Sequence, residues 1–148
     1  MPSIETSIWL ALRARVESLA LSPVHTVSYP NEAFTPPQTT VAPILPLPYL
    51  RVTHFLNTPN RPFLKGSDPH QRRGILQVAV MSPLNQQNSA IAIEVAGQVA
   101  AHFPADLPMR YGGLTVKVEK APDVMRGLRD EESSRWMTPV SIRWECFI

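Results

Sequence analysis

The sequence predicts an α+β fold: a mostly antiparallel sheet of four to five strands with two helices packed on it, in the order α-β-β-β-α-β-β. Three observations lead there. Two segments repeat apolar residues at helical spacing, several short runs read as strands, and most of the strands follow one another instead of alternating with helices. The strand "RRGILQVAVMSP", Arg72 to Pro83, is apolar on both faces and reads as the central one.

The first helix is expected from about Ser3 to Ala20. Ser3 can cap it, Glu5 suits the positive end of the helix dipole, and Ile4, Ile8, Leu12 and Leu19 form its stripe. A short strand from about Val24 to Tyr29 stops at Pro30. A long proline-rich loop follows between the first two strands, "NEAFTPPQTTVAPILPLP". Proline fixes φ and lacks a backbone donor, so extended backbone is expected there instead of a ladder. "YLRVTHFL", Tyr49 to Leu56, alternates with Leu50, Val52, His54 and Leu56 on one face. After the loop Asn57 to Gln71 and the central strand, Asn88 or Ser89 can cap the helix "AIAIEVAGQVAAHF". A strand from about Leu114 to Ala121 comes next. The charged segment Asp123 to Arg135 is expected to be an exposed connection, and "TPVSIRWECFI" closes the chain as a strand.

Composition narrows the function. A chain of 148 residues is expected to be a single domain, residues 1–148. Proline, 16 residues, is about twice its usual ~5% share and lies mostly between Pro30 and Pro62, where a long irregular segment is expected, although a chain that is 44% hydrophobic is globular and not disordered. The net charge is +2, carried mostly by arginine, a residue enriched in protein interfaces. A single cysteine, Cys146, excludes an internal disulfide. No apolar run reaches the ~20 residues that span a bilayer, so no membrane partner is expected, and a cytoplasmic protein is.

Chemistry is hard to find. His25, His54, His70 and His102 lack metal-ligand spacing, and His54 lies on an apolar strand face as a core histidine would. Cys146 has no base beside it. Asp68 and His70 form the nearest approach to an acid-base pair, with no nucleophile attached. No cofactor, metal or catalytic residue is therefore expected, and the chain is not expected to be an enzyme. The helix 90–103 confines Glu94, Gln98 and His102 to one stripe and leaves surplus apolar surface. Residues expected to meet a partner are Arg61, Phe63 and Lys65 in the loop, Arg72 and Arg73 at the head of the central strand, Arg126, Arg129 and Arg135, and Trp136. The arginines also raise an alternative, a nucleic-acid-binding module of a phage or bacterium, which the acidic run Asp130 to Glu132 opposes.

Taken in order, "PNEAFTPP", "YLRVTHFL", "RRGILQVAVMSP", "AIAIEVAGQVAAHF" and "TPVSIRWECF" resemble the tail terminator family of long-tailed bacteriophages and phage-like particles. The resemblance implies a structural subunit, assembled in the host bacterial cytoplasm, that forms a homo-hexameric ring at the head-proximal end of the virion tail. Such a ring caps the tail tube protein, stops polymerisation and presents a surface to head-tail connector proteins, with nucleic acid only as DNA passing through it. The insertion "QTTVAPILPLP" is longer than the family pattern.

Overall fold

The computed structural model describes residues 3–21, 24–59, 61–62, 64–67, 69–84 and 89–148. Its elements are α1 (Ile4–Glu17), β1 (Val27–Ser28), β2 (Tyr49–Leu56), β3 (Gln71–Pro83), α2 (Ser89–Ala101), β4 (Pro108–Tyr111), β5 (Leu114–Val118), β6 (Asp123–Val124), β7 (Leu128–Asp130) and β8 (Arg135–Phe147). The fold is α+β with two helices, as expected, but the sheet has eight strands among the described residues. Its main path runs β1-β2-β3-β8-β5-β4, and β6 and β7 pair separately with β8.

The two longest strands make the centre. β3 and β8 pair antiparallel over all 13 residues of each, from Gln71 opposite Phe147 to Pro83 opposite Arg135. β2 runs antiparallel along the other side of β3, from Tyr49 opposite Met81 to Leu56 opposite Gly74. The second edge of β8 is filled in succession by three short antiparallel strands, β7, β6 and β5. One pairing departs from the antiparallel rule, since β1 is parallel to β2 and only two residues long.

The segment Asp123 to Arg135 is largely exposed, as expected, but it is no free connection, since two of those strands lie in it and pair with β8. A strand of 13 residues beside short neighbours leaves unpaired carbonyls and amides, and the segment takes them up. Gly127 permits this, because a Cβ there would lie 2.4 Å from the indole Nε1 of Trp136. β4 is also additional. It forms a hairpin with β5 through Gly112 and Gly113, whose φ angles of 57° and 84° suit the turns that match strand twist.

Pro139 lies in the middle of β8, where a proline would normally break a ladder. Met125 N–H donates to its carbonyl at 2.8 Å, so the side of the residue that lacks an N–H faces the β6–β7 edge. Opposite it, β7 has ended at the Leu128–Met137 pair and β6 begins at Val124–Val140. The missing donor therefore falls in the break between two short strands and costs no ladder bond with β3.

One face of the sheet carries Leu50, Val52, Leu76, Val78, Val80, Val140, Ile142, Trp144 and Cys146, all buried. α1 and α2 cover this face. In α1, Ser3 caps by accepting from Thr6 N at 3.2 Å, and Ile8, Ala11, Leu12 and Val16 turn inward at helical spacing. α2 buries only Ala92, Ala96 and Val99. Of its two expected caps, Asn88 lies outside the described residues. The helices are clasped at their C-terminal ends. Arg15 donates through Nε and Nη2 to the His102 carbonyl at 3.0 and 2.7 Å, and His102 Nε2 lies 2.9 Å from the Arg15 carbonyl.

The opposite face is covered only in part. Tyr49, Ala79 and Met81 form a small second cluster with Phe34 and Met137. Toward the other end of the ladder Phe55 is 50% exposed.

Gly74 marks the tightest approach in the core. A Cβ added there would lie 2.4 Å from the Phe55 carbonyl and 2.5 Å from Cζ2 of Trp144, its cross-strand partner. Gly74→Ala is expected to destabilise the chain by about 1–3 kcal/mol, the usual range for overpacking. A lowered urea midpoint with unchanged slope is the expected reading, and an unchanged midpoint would contradict the packing.

Candidate functional site

His54 and Cys146 are packed into the scaffold. His54 is half-buried between two indoles, with its ring stacked on Trp9 at 5.4 Å and tilted against Trp144 at 5.4 Å. Its Nε2 is buried with no hydrogen-bond partner among the described residues, and burial pushes its pKa below the ordinary value. Burial also pushes the Cys146 thiol up, away from the reactive thiolate, and the side chain is 1% exposed. Asp68, half of the acid-base pair raised by the sequence, lies outside the described residues. The backbone of His70 exchanges two hydrogen bonds with Ile148, both 3.1 Å, which extends the β3–β8 pairing by one residue pair.

What the scaffold offers instead are contact surfaces. At one end of the ladder, Arg72 forms a 2.7 Å ion pair with Glu5 and is partly buried, whereas Arg73 is exposed opposite Glu145. Gln71 Nε2 donates to Glu145 at 3.0 Å. Phe55 and Phe147 stand on the same face here and are both about half exposed. The loop 57–70 leaves this end. Arg61 and Lys65 are exposed in it, and Arg61 Nη2 donates to the Leu64 carbonyl. Phe63, the aromatic expected there, lies outside the described residues.

At the other end, Arg126 and Arg129 are exposed, and Arg129 meets Glu131 at 3.6 Å. Asp130 is held in place. The Ser133 hydroxyl donates to it and Arg51 pairs with it at 3.1 Å, so its carboxyl titrates below the usual range. Trp136 is half-buried, with its indole against Gly127.

Arg135 is the departure from expectation. It is 6% exposed, and its guanidinium donates to the Leu47 carbonyl and, at 3.5 Å, to that of Pro37. The same group lies 4.9 Å from the centre of the Tyr49 ring. It has no carboxylate partner among the described residues, and burial lowers its pKa. In the free chain this arginine is spent internally, on the proline-rich segment.

That segment is more ordered than extended backbone. Leu47 N donates to the Pro37 carbonyl at 3.0 Å, Thr39 N to the Leu45 carbonyl at 2.8 Å, and Gln38 and Pro46 form an antiparallel bridge. The Thr39 hydroxyl accepts from Leu45 N at 2.8 Å and donates to the Pro43 carbonyl at 3.1 Å. The result is a hairpin over residues 37–47 that displays Val41, Ile44, Leu45 and Leu47, with Val41 76% exposed. The sequence signal for it was the absence of any charged residue between Glu32 and Arg51.

His54 and Cys146 pack within this α+β scaffold, and Phe55, Phe147, Ile93, Arg73 and Arg129 are among the side chains it exposes. The family model of the phage tail terminator protein matches residues 7–144, and the chain belongs to that family. It is therefore a structural protein of a phage tail, acting with other tail and head-tail proteins. One solved structure is 26% identical, with a TM-score of 0.73 over 98% of this chain and 96% of the other. No curated protein matches.

His54 and His102 both titrate below 6.5, chiefly because burial disfavours their charged forms. The unfolded chain then takes up protons that the folded one refuses, so stability falls as pH drops through 6.5 toward their folded values. Thermal midpoints measured on either side of that pH should fall on the acid side, and His54→Gln should reduce the drop. For the clamp, Arg135→Met is expected to speed amide exchange at Leu45 and Leu47 while leaving the β3 amides protected. Unchanged exchange at both leucines would show that the hairpin holds without it.

Proposed function

We propose that this chain forms a six-membered ring that caps the head-proximal end of a phage tail tube, stops its polymerisation and presents the surface to which the head connector joins. Membership of the terminator family across residues 7–144 is the observation that carries the reading. The scaffold supports it physically. Large apolar side chains are ordered yet exposed on separate elements: Phe55 and Phe147 at one end, Ile44 on the hairpin, Ile93 on α2 and Leu128 on β7. Different patches on one subunit allow heterologous contacts, which close into a ring when the rotation permits. Six copies follow the symmetry implied by the family.

Arg61, Lys65, Arg73, Arg126 and Arg129 remain the surface residues proposed to meet the tube or the connector, together with Trp136, Phe63 and Arg72, the last once its pair with Glu5 opens. Arginine loses less on being fixed in such a contact than lysine does.

Particles assembled without this protein should carry tails of abnormal length that fail to join heads, and images of complete tails should show a six-fold ring of it at the head-proximal end. Tails of normal length made in its absence would overturn the reading. Within that framework, Arg61→Ala with Lys65→Ala should leave the unfolding free energy within about 0.5 kcal/mol of the parent, as surface changes do, yet reduce the yield of joined particles. Parental yield would remove the loop from the interface.

A further inference from the structure

The hairpin 37–47 is built as a projection, and its construction calls for an explanation. It carries no charge, exposes Val41, Ile44, Leu45 and Leu47, and is fixed at its base by a buried arginine that has no carboxylate partner among the described residues. Burying a guanidinium without a counter-charge is costly. A segment needed only to connect β1 to β2 requires no such clamp, and soluble chains do not gain by holding aliphatic side chains out in water. Both features make sense if the hairpin is set in its bound form beforehand, so that less ordering entropy is lost on docking.

The same chain displays a surface of matching character. On α2, Ala90, Ile93, Gly97 and Ala101 face outward, Ile93 is 54% exposed, and a Cβ on Gly97 would meet nothing within 4 Å. This side is apolar and open, and the polar stripe of Glu94, Gln98 and His102 borders it along one edge. The two surfaces lie on opposite faces of the sheet. Arg135, which fixes the hairpin, and Tyr49 beneath its guanidinium belong to the partly covered face with Phe34 and Met81, whereas α2 packs on the face of Val78, Val80 and Val140. A hairpin on one face cannot reach a helix on the other within one chain. A second copy can bring them together.

We propose that the hairpin 37–47 docks on the outer side of α2 of a neighbouring copy, with Ile44 and Val41 seated against Ile93 and the shelf at Gly97. The contact uses two different patches, so it is heterologous, the kind that can propagate around a ring. It rests on the ring reading above and deepens it by assigning the adjoining surfaces. Two uncharged apolar partners need no desolvation of charge, which makes this pairing better matched than hairpin to any arginine-bearing surface of the same chain.

The test places a photo-crosslinking amino acid at position 44 of the full chain. Crosslinks from position 44 to the 89–102 peptide of a second copy, seen in purified protein or assembled tails, are the expected result. Crosslinks confined to the same chain, directed to the tube protein, or absent from both preparations would overturn the proposal. Self-association of the purified chain supplies a second reading. Ile44→Asp and Ile93→Lys should each weaken it at least tenfold with unchanged thermal midpoints, and together they should recover part of the loss through a new ion pair. Loss with either variant and no recovery in the pair would place the two residues in separate contacts and defeat the assignment. These outcomes are separable from the ring reading, which fails on tail length and images whatever position 44 touches.

Discussion

The 13-residue antiparallel ladder between β3 and β8 is the constraint from which the other features of this structure follow. Side chains alternate along a strand, so fixing Gln71 opposite Phe147 fixes which residues of both strands point to the helices and which away. A slip by one residue would turn either Leu76, Val78 and Val80 of β3 or Ile142 and Trp144 of β8 out of the core. It would also move the Trp144 ring off Gly74, where no side chain stands in its way. The length of the ladder matters as much as its register. β2 covers one side with eight residues, and the other side is long enough to hold β7, β6 and β5 in turn.

The ladder also divides labour between the two faces. On the helix face the middle of the ladder is fully buried, and the two helices that cover it are tied to each other by the clasp between Arg15 and His102. The other face is covered at one end by Phe34 and the hairpin and left open at the other, where Phe55, Arg73 and Phe147 stand. A small sheet has two helices' worth of cover and no more. The second face of such a scaffold is where assembly surfaces can be built at little cost to the core.

The strand end that would deliver a catalytic side chain in an open α/β enzyme is here the point where β3 meets β8 at Pro83 and Arg135, and Arg135 is turned onto the hairpin. A buried cation committed to two backbone carbonyls holds the hairpin's base in place.

The sequence alone determined what depends on local pattern. β2 has the predicted bounds, β3 differs by one residue, and α1 follows directly on its capping serine. The family, too, was legible, because order and phrasing of elements survive in a single chain. Only the tertiary structure decided the rest. Strands of two or three residues such as β1, β6 and β7 are too short for any periodicity, and they exist because a longer neighbour offers unpaired backbone groups. The same holds for the residues expected at interfaces. Arg135 and Arg129 look alike as letters in a charged segment, yet one lies on a paired strand against Tyr49 and the other on an exposed edge, a difference set by partners distant in sequence.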